Sequence, residues 1–386
     1  MNDHQRHITD NAAARPLRVL YVVPPSKQFA GIERVTDEIA SALAEFENPR
    51  FAVSVLYFRD YPEVVDPAYS VIRGEAERTR HIPGAVQRVL DGQGFDIVVV
   101  PQFEIAFLCL LQDRLRGRRT NIVLHLHGNP EIERAVSLKS RVLFAFLKPA
   151  APRFAGVIAV SPGLARHASA MMGGGVEVAH MPNPVRQLGD HVQVGEGALG
   201  GRNFVTVARL AYQKGHDIAI TAFRRVVDEF PDARLTIVGE GPERPKLEAL
   251  IERLGLGDNV RLAGMVADPS AELSAARAFV TASRWEGFGV AIVEAMSVGL
   301  PVVAAKCDFG PEDLIVAPEL GVLAEPGDPD ALAQAMIRQL QQEPHPEHVG
   351  IRRRHAAASA KAAVVARHAA YLAGLRLGNL KEGARA

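Results

Sequence analysis

The strongest constraint on this chain is a repeated alternation of short apolar runs with helix-like stretches. Arg18-Val-Leu-Tyr-Val-Val23 is rich in β-branched residues and ends in Pro24-Pro25, so it reads as a parallel strand buried on both faces. Phe51 to Phe58, Asp96 to Val100, Asn121 to Leu126 and Gly156 to Val160 follow as strands, with helical stretches between them, one from about Glu33 to Ala44. The pattern weakens from Gly189 to Arg202, where five glycines stand among few large apolar residues. It restarts with Phe204 to Val207, Leu235 to Val238, Val260 to Leu262, Ala278 to Thr281 and Val302 to Ala304. Strand and helix alternating at this spacing predict an α/β protein with two Rossmann-like, doubly wound domains. The expected division is a first domain at 1–190, a linker at 191–202 and a second domain at 203–355. A helical, alanine-rich C-terminal stretch follows at 356–386, its helix from Ala356 to Leu377.

Composition narrows the function classes. Formal net charge is zero, which gives no overall attraction to nucleic acid. Cys109 and Cys307 are the only cysteines, too few for a disulfide framework or a zinc site, and a reducing cytoplasm suits them. Residues 1–15 are polar and lack an apolar stretch of signal length, and no run of about 18 apolar residues occurs. From residue 101 to 170, ten Lys and Arg face four Asp and Glu. Within this span Arg134, Lys139, Arg141, Lys148 and Arg153 interleave with Val136, Leu138, Val142, Leu143, Phe144, Phe146 and Leu147. That pattern suits either a helix resting on an anionic membrane or a helix packed on its own domain with a solvated basic face.

The segment Glu286-Gly-Phe-Gly-Val-Ala-Ile-Val-Glu294 carries the most chemistry. Its two carboxylates stand eight positions apart, around a Gly-Phe-Gly turn and inside an apolar run that opens a buried helix. An ionised carboxylate there is costly unless something pairs with it. The helix dipole accounts for a carboxylate at Glu286, but not for one a turn or more inside the helix at Glu294. Both point to a site that binds hydroxyl groups.

This segment resembles the paired-glutamate motif of the retaining glycosyltransferases of family 4, which have the GT-B fold. Other stretches match that family in order: Ala30-Gly31-Ile32-Glu33-Arg34, His125-Leu-His127-Gly128, Ser161-Pro162-Gly163, Pro182-Asn183-Pro184-Val185, Arg209 to Gly215, and Val238-Gly239-Glu240-Gly241-Pro242. The resemblance spans roughly residues 17–340 and implies two domains facing across a cleft, the first binding the acceptor and the second the nucleotide sugar. It also implies that the C-terminal helix packs back on the first domain.

By this resemblance the catalytic set is His127, Arg209, Lys214 and Glu286. The substrate-binding set is Gly31, Glu286, Gly287, Phe288, Gly289, Glu294 and Gly239. Arg209 and Lys214 would stabilise the charge growing on a departing diphosphate, as a metal does elsewhere. No metal or other cofactor is then required. Glycine at position 31 lets the backbone approach a ligand at a helix N-terminus. Glu294 would accept from both ribose hydroxyls, and Glu286 would contact the donor sugar, with amides from Gly287, Phe288 and Gly289. His127 would hydrogen-bond a sugar hydroxyl or help an acceptor proton leave, with His125 on the other face of the strand. The loop Cys307-Asp-Phe-Gly310-Pro311-Glu312-Asp313 is similar to that of members using UDP-galactose or UDP-N-acetylgalactosamine; Glu312 and Asp313 also fit a simple helix-start charge pair.

The expected enzyme is a hexosyltransferase that moves a sugar from a nucleoside diphosphate donor, a UDP-sugar first, to the hydroxyl of a glycan or lipid-linked acceptor. Polysaccharide, lipopolysaccharide or glycolipid assembly at the cytoplasmic side of the cell membrane would suit it, with peripheral membrane contact and no nucleic acid partner. A sugar-nucleotide epimerase of the same fold and a binding protein with a decayed site are the alternatives. A nicotinamide-dependent dehydrogenase is not, because Pro24-Pro25 stands where its glycine fingerprint would be.

Overall fold

The computed structural model describes residues 15–383 apart from 27, 28, 30, 77, 136, 137, 193, 196, 197 and 199. The polar lead-in before residue 15, Ala30, Val136 and the side chains of Arg134 and Lys139 fall outside what is described. The chain divides into two compact units. The first takes the described residues of Met1–Ala159, His167–Pro184 and Val364–Ala386, and the second takes Val160–Arg166 and Val185–Ala363.

The first unit holds β1 (Leu17–Val23), β2 (Phe51–Tyr57), β3 (Ser70–Arg73), β4 (Ile97–Pro101), β5 (Asn121–Leu126), β6 (Gly156–Ala159) and β7 (Val178–His180). They form one sheet in the order β3-β2-β1-β4-β5-β6-β7, with every neighbouring pair parallel. β1, β4 and β5 are buried on both faces, which is why they read as unbroken apolar runs. Val19, Tyr21, Ile39, Leu43 and Val55 share a core with Val365, Ala369 and Leu372 of the helix Lys361–Gly383.

The second unit holds β8 (Asn203–Val207), β9 (Arg234–Val238), β10 (Val260–Gly264), β11 (Ala278–Thr281), β12 (Val302–Ala305) and β13 (Gly321–Ala324). Their order is β10-β9-β8-β11-β12-β13, again parallel throughout. Phe204, Phe223, Ile237, Val280 and Met336 fill one core, each large side chain contributing about 2 kcal/mol.

The chain enters the second unit at Val185, ahead of the glycine-rich stretch 191–202, and leaves it after Ala363. Glycines mark places where the backbone turns, and here such turns lie inside a unit. The alanine-rich C-terminal stretch is not one helix. The helix Pro346–Ala357 ends before the helix Lys361–Gly383 begins, and the Val185 amide donates to the Ser359 carbonyl in the break (2.8 Å). Alanine content favours helix but carries no stop signal, so a break made by a distant strand-like residue left no trace in composition. No helix among the described residues is long and apolar enough to cross a membrane.

Candidate functional site

In the second sheet the strand order reverses between β8 and β11, which pair directly. Loops leaving the carboxyl ends of two such strands run to opposite faces and leave a crevice where ligands bind. The β8 loop carries Arg209 and Lys214, and the β11 loop carries Glu286 to Gly289.

Two devices hold these loops together. Gly215 has φ 63°, and a Cβ there would collide with the Ala282 carbonyl oxygen, so only glycine allows this approach. Arg284 then reaches back across: its Nη1 and Nη2 donate to the two oxygens of Asp217 at 3.0 and 2.7 Å, and Nη1 also donates to the Tyr212 carbonyl at 2.6 Å. Gln213 and Arg284 exchange main-chain and side-chain bonds with the same pair of loops.

That zipper brings Lys214 onto Glu286. Lys214 Nζ donates to Glu286 Oε1 at 2.5 Å, and Ser283 Oγ donates to the same oxygen at 2.7 Å. The loop after β12 closes the other side: Gly310 has φ 60°, and a Cβ there would lie 2.6 Å from the Phe288 carbonyl oxygen. Phe288 is buried, and so is Cys307, whose thiol is pushed up to about 12 by burial and then by the charge of Glu286.

Gly289, with φ 96°, starts the helix Val290–Val298. Its first amides, at Val290 and Ala291, have no partner carbonyl inside the helix. Glu294 sits in the second turn, 7% exposed, and Arg186 Nε and Nη2 donate to its Oε1 at 3.2 and 3.1 Å. This cation answers the cost of a carboxylate in an apolar helix.

Arg209 differs from the others. Its side chain is exposed and makes no hydrogen bond or ion pair among the described residues. Its carbonyl accepts from Nε2 of the buried His216 at 3.1 Å, and burial pulls that imidazole down to about 4. The backbone bearing Arg209 is therefore fixed while the guanidinium stays open to a ligand.

Gly239 has a packing role. A Cβ there would collide with the Ala208 carbonyl oxygen, and its amide is taken by the Gly264 carbonyl at 2.8 Å. A substrate-binding amide at Gly239 is thus already occupied. Asp313 lies 8% exposed and accepts the Gly163 amide at 2.9 and 2.8 Å, whereas Glu312 makes a solvent-facing pair with Lys306.

In the first unit, Gly31 has φ 56° and caps the helix Ile32–Ala44; a Cβ there meets nothing within 4 Å. The turn alone therefore requires glycine, and no protein atom crowds the position. His127 follows directly after β5. The His125 ring lies 4.0 Å from the His127 ring and 5.8 Å from that of His368. His125 and His127 therefore do not take opposite faces. Residues two apart in a strand share one. Burial keeps all three neutral: His127 is pulled down to about 4 and His368 to about 3, while His125 lies well below its ordinary value. Among the described residues, His125 Nε2 and both His368 nitrogens have no hydrogen-bond partner.

Ser283, Arg284 and Arg186 were not singled out from sequence. Arg186 directly follows Pro182-Asn183-Pro184-Val185, so its position was marked even though its partner, 108 residues away, was not.

Two parallel α/β units of this topology make the GT-B architecture of glycosyltransferases. Residues 196–356 match the model of glycosyl transferases group 1, and residues 30–184 match that of the glycosyl transferase 4-like domain. Residues 196–356 therefore carry a group 1 glycosyl transferase domain and residues 30–184 a 4-like one. Among curated proteins it is 40% identical over 119 residues to an uncharacterized glycosyltransferase, MJ1059, of Methanocaldococcus jannaschii, covering 31% of this chain and 29% of that protein. It is 36% identical over 139 residues to the poly(glycerol-phosphate) alpha-glucosyltransferase of Bacillus subtilis, covering 36% of this chain and 21% of that protein. The matched stretches thus span less than a third of either relative. Among solved structures, Anabaena Alr3699/HepE in complex with UDP and glucose superposes with a TM-score of 0.73 at 21% identity, covering 93% of this chain and all of that one. Sucrose-phosphate synthase from Thermosynechococcus elongatus gives 0.74 at 19% identity, with 94% and 100% covered.

Proposed function

We propose that this protein is a retaining hexosyltransferase that moves a sugar from a UDP-sugar to an acceptor hydroxyl in glycan or glycolipid assembly. The observation that carries the reading is the Lys214–Glu286 pair at the switch point of the second sheet, with Arg209 exposed and unpaired on the same loop. In this reading Arg209 and Lys214 hold the diphosphate. Arg209 supplies a planar fork and Lys214 a point charge, which turns from Glu286 to phosphate when donor arrives. Glu286, released, accepts from hydroxyls of the donor sugar, with the amides of Gly287, Phe288 and Gly289 beside it. Glu294 takes the ribose hydroxyls.

Transfer with retention follows a front-face course. The bond from the sugar carbon to the diphosphate oxygen breaks, and the acceptor oxygen bonds to that carbon on the same side. The acceptor proton passes to the departing diphosphate, whose charge the two cations stabilise. No metal is needed for that step. Neutral His127 is able to accept or donate one hydrogen bond to a sugar hydroxyl. At Gly31 the buried Glu33 stands in the first helical turn, so a hydroxyl-bearing group suits that N-terminus better than a phosphate.

The relatives support the donor and the setting: HepE is held in a complex with UDP and glucose, and the Bacillus protein is a glucosyltransferase acting on poly(glycerol-phosphate). Peripheral contact with an anionic membrane belongs to the same proposal. The expected single amphipathic helix is three short ones, Pro130–Ala135, Leu138–Phe144 and Leu147–Ala150. Leu138, Val142 and Phe146 are exposed there beside exposed Arg141, Lys148 and Arg153.

The test is release of nucleoside diphosphate from UDP-, GDP- and ADP-sugars, with and without a pool of glycan and lipid-linked acceptors. Acceptor-stimulated release from a UDP-sugar, lost in Glu294→Ala, is expected. Silence with every donor in a folded chain would end the transferase reading.

A further inference from the structure

The first unit carries a cavity of about 1130 Å³ that no motif marked. Its walls come from the residues just past the carboxyl ends of three adjacent strands: Pro25 and Ser26 after β1, Phe58 and Arg59 after β2, Gly74 and Glu75 after β3. That end of a parallel sheet is where ligands bind. The far wall is the start of the helix Ile82–Gly92, with Arg80, Gly84 and Arg88. At that helix start the Ile82 amide already donates to the Thr79 carbonyl and Pro83 has no N–H, so the positive lining comes from the arginine side chains.

Charge sets this cavity apart. Arg59, Arg80 and Arg88 line it against one carboxylate, Glu75, among the described lining residues. Arg59 and Arg88 are exposed and make no ion pair among the described residues, while Arg73 nearby is already held by Asp60 at 2.8 Å. Arginine forks match the oxygens of phosphate and carboxylate two at a time. The volume exceeds what a lone anion needs and is large enough for sugar rings.

We propose that this cavity receives an anionic group carried by the acceptor, a phosphate or a carboxylate on a glycan or lipid-linked saccharide. Its role as acceptor site rests on the transferase reading; the anion binding does not. Arg59 and Arg88 make the charged contacts, and the sugar ring of the acceptor lies along Phe58.

The experiment is calorimetric titration of the full chain with glycerol 1-phosphate, methyl glucuronide and neutral methyl glucoside, and separately with UDP. Two variants are compared. One is the double substitution Arg59→Ala, Arg88→Ala. The other is Gly84→Glu, which sets a carboxylate one helical turn before Arg88, a spacing that stabilises the helix and so protects folding. At least one anion should bind the wild type more tightly than the glucoside does, and which one binds identifies the phosphate or the carboxylate as the group. Both variants should weaken that binding about tenfold or more, the size expected for lost charge-assisted hydrogen bonds, and leave UDP binding unchanged. Equal binding of neutral and anionic probes, no anion binding by the wild type at millimolar concentration, or anion binding untouched in both variants would each overturn the proposal. UDP failing to bind while the anion result holds would instead sink the transferase reading, leaving an anion site without an acceptor role.

Discussion

The two sheets treat their ligand-facing ends in opposite ways. At the carboxyl ends of β8 and β11 nearly every charge is paired within the unit: Lys214 with Glu286, Arg284 with Asp217, Arg186 with Glu294. Around the carboxyl ends of β1 to β3 the arginines Arg59 and Arg88 make no ion pair among the described residues, and near β5 His125 and His368 are buried, neutral and without hydrogen bonds among those residues. A ligand entering the second site must exchange one set of ion pairs for another, so most of the geometry exists beforehand. A ligand entering the first meets open cations. Preorganised ion pairs and open cations are separate ways of preparing for an anion, and they predict different responses to mutation.

The largest effect should come from Lys214. Removing one preorganised donor to a developing negative charge costs about 100- to 1000-fold in rate. Lys214→Ala should therefore slow transfer by that order with a smaller change in donor KM. Glu286→Ala should also slow it severely, and the losses in the double variant should roughly add, because with donor bound each side chain serves its own part of the donor. A double variant no worse than either single one would mean that the pair stays closed in the working enzyme.

Next in size is the glycine that joins the loops. Gly215→Ala adds a left-handed residue and drives a Cβ into the Ala282 carbonyl. A loss of about 2–3 kcal/mol in denaturant unfolding is expected. Gly31→Ala isolates strain in the first unit: its Cβ meets open space, but φ 56° with ψ −112° is a region L residues avoid, so a loss of about 1–3 kcal/mol there is strain with no packing clash. No loss at Gly31→Ala would show that the turn relaxes.

The histidines give a pH signature. His368 is held neutral, near 3, while an unfolded histidine titrates near 6.5. Below pH 6.5 the unfolded chain binds a proton that the folded chain does not, so stability falls as pH drops from 6.5 toward 3. The slope is about 1.4 kcal/mol per pH unit for each such group. His368→Leu removes one group and two unsatisfied nitrogens. It should be near neutral at pH 7 and about 2 kcal/mol more stable than wild type at pH 5. Parallel acid limbs for the two proteins would show that His368 finds a proton acceptor in the folded state.

How much of this was readable in the sequence depends on range. The central strands were legible because burial on both faces forces continuous apolar runs. β3, β7 and β13 were not seen. They are three- or four-residue strands, all at sheet edges with partly exposed residues, and they carry no such run. The motif residues Lys214, Glu286 and Glu294 stood out by local context. Their partners Arg186 and Ser283 did not, since Arg186 reaches its carboxylate across 108 positions, and pairing at that distance has no local signature. The cavity with Arg59 and Arg88 was invisible for the same reason. Three strands and a helix must come together before three scattered arginines become one lining.

The smallest effect sharpens the opening contrast most cleanly. Arg284 is 20% exposed and donates to both oxygens of Asp217, which is about half exposed, so solvent weakens the pair. Arg284→Ala should lower stability by about 1 kcal/mol, because geometry is bidentate and the guanidinium also covers the Tyr212 ring at 3.9 Å. Arg59→Ala should leave stability within about 0.5 kcal/mol, since its exposed guanidinium makes no hydrogen bond or ion pair among the described residues. Urea midpoints of the two single variants, measured side by side, decide the matter. If Arg59→Ala proves the more damaging, its guanidinium serves the fold, and the contrast between paired and waiting charges collapses.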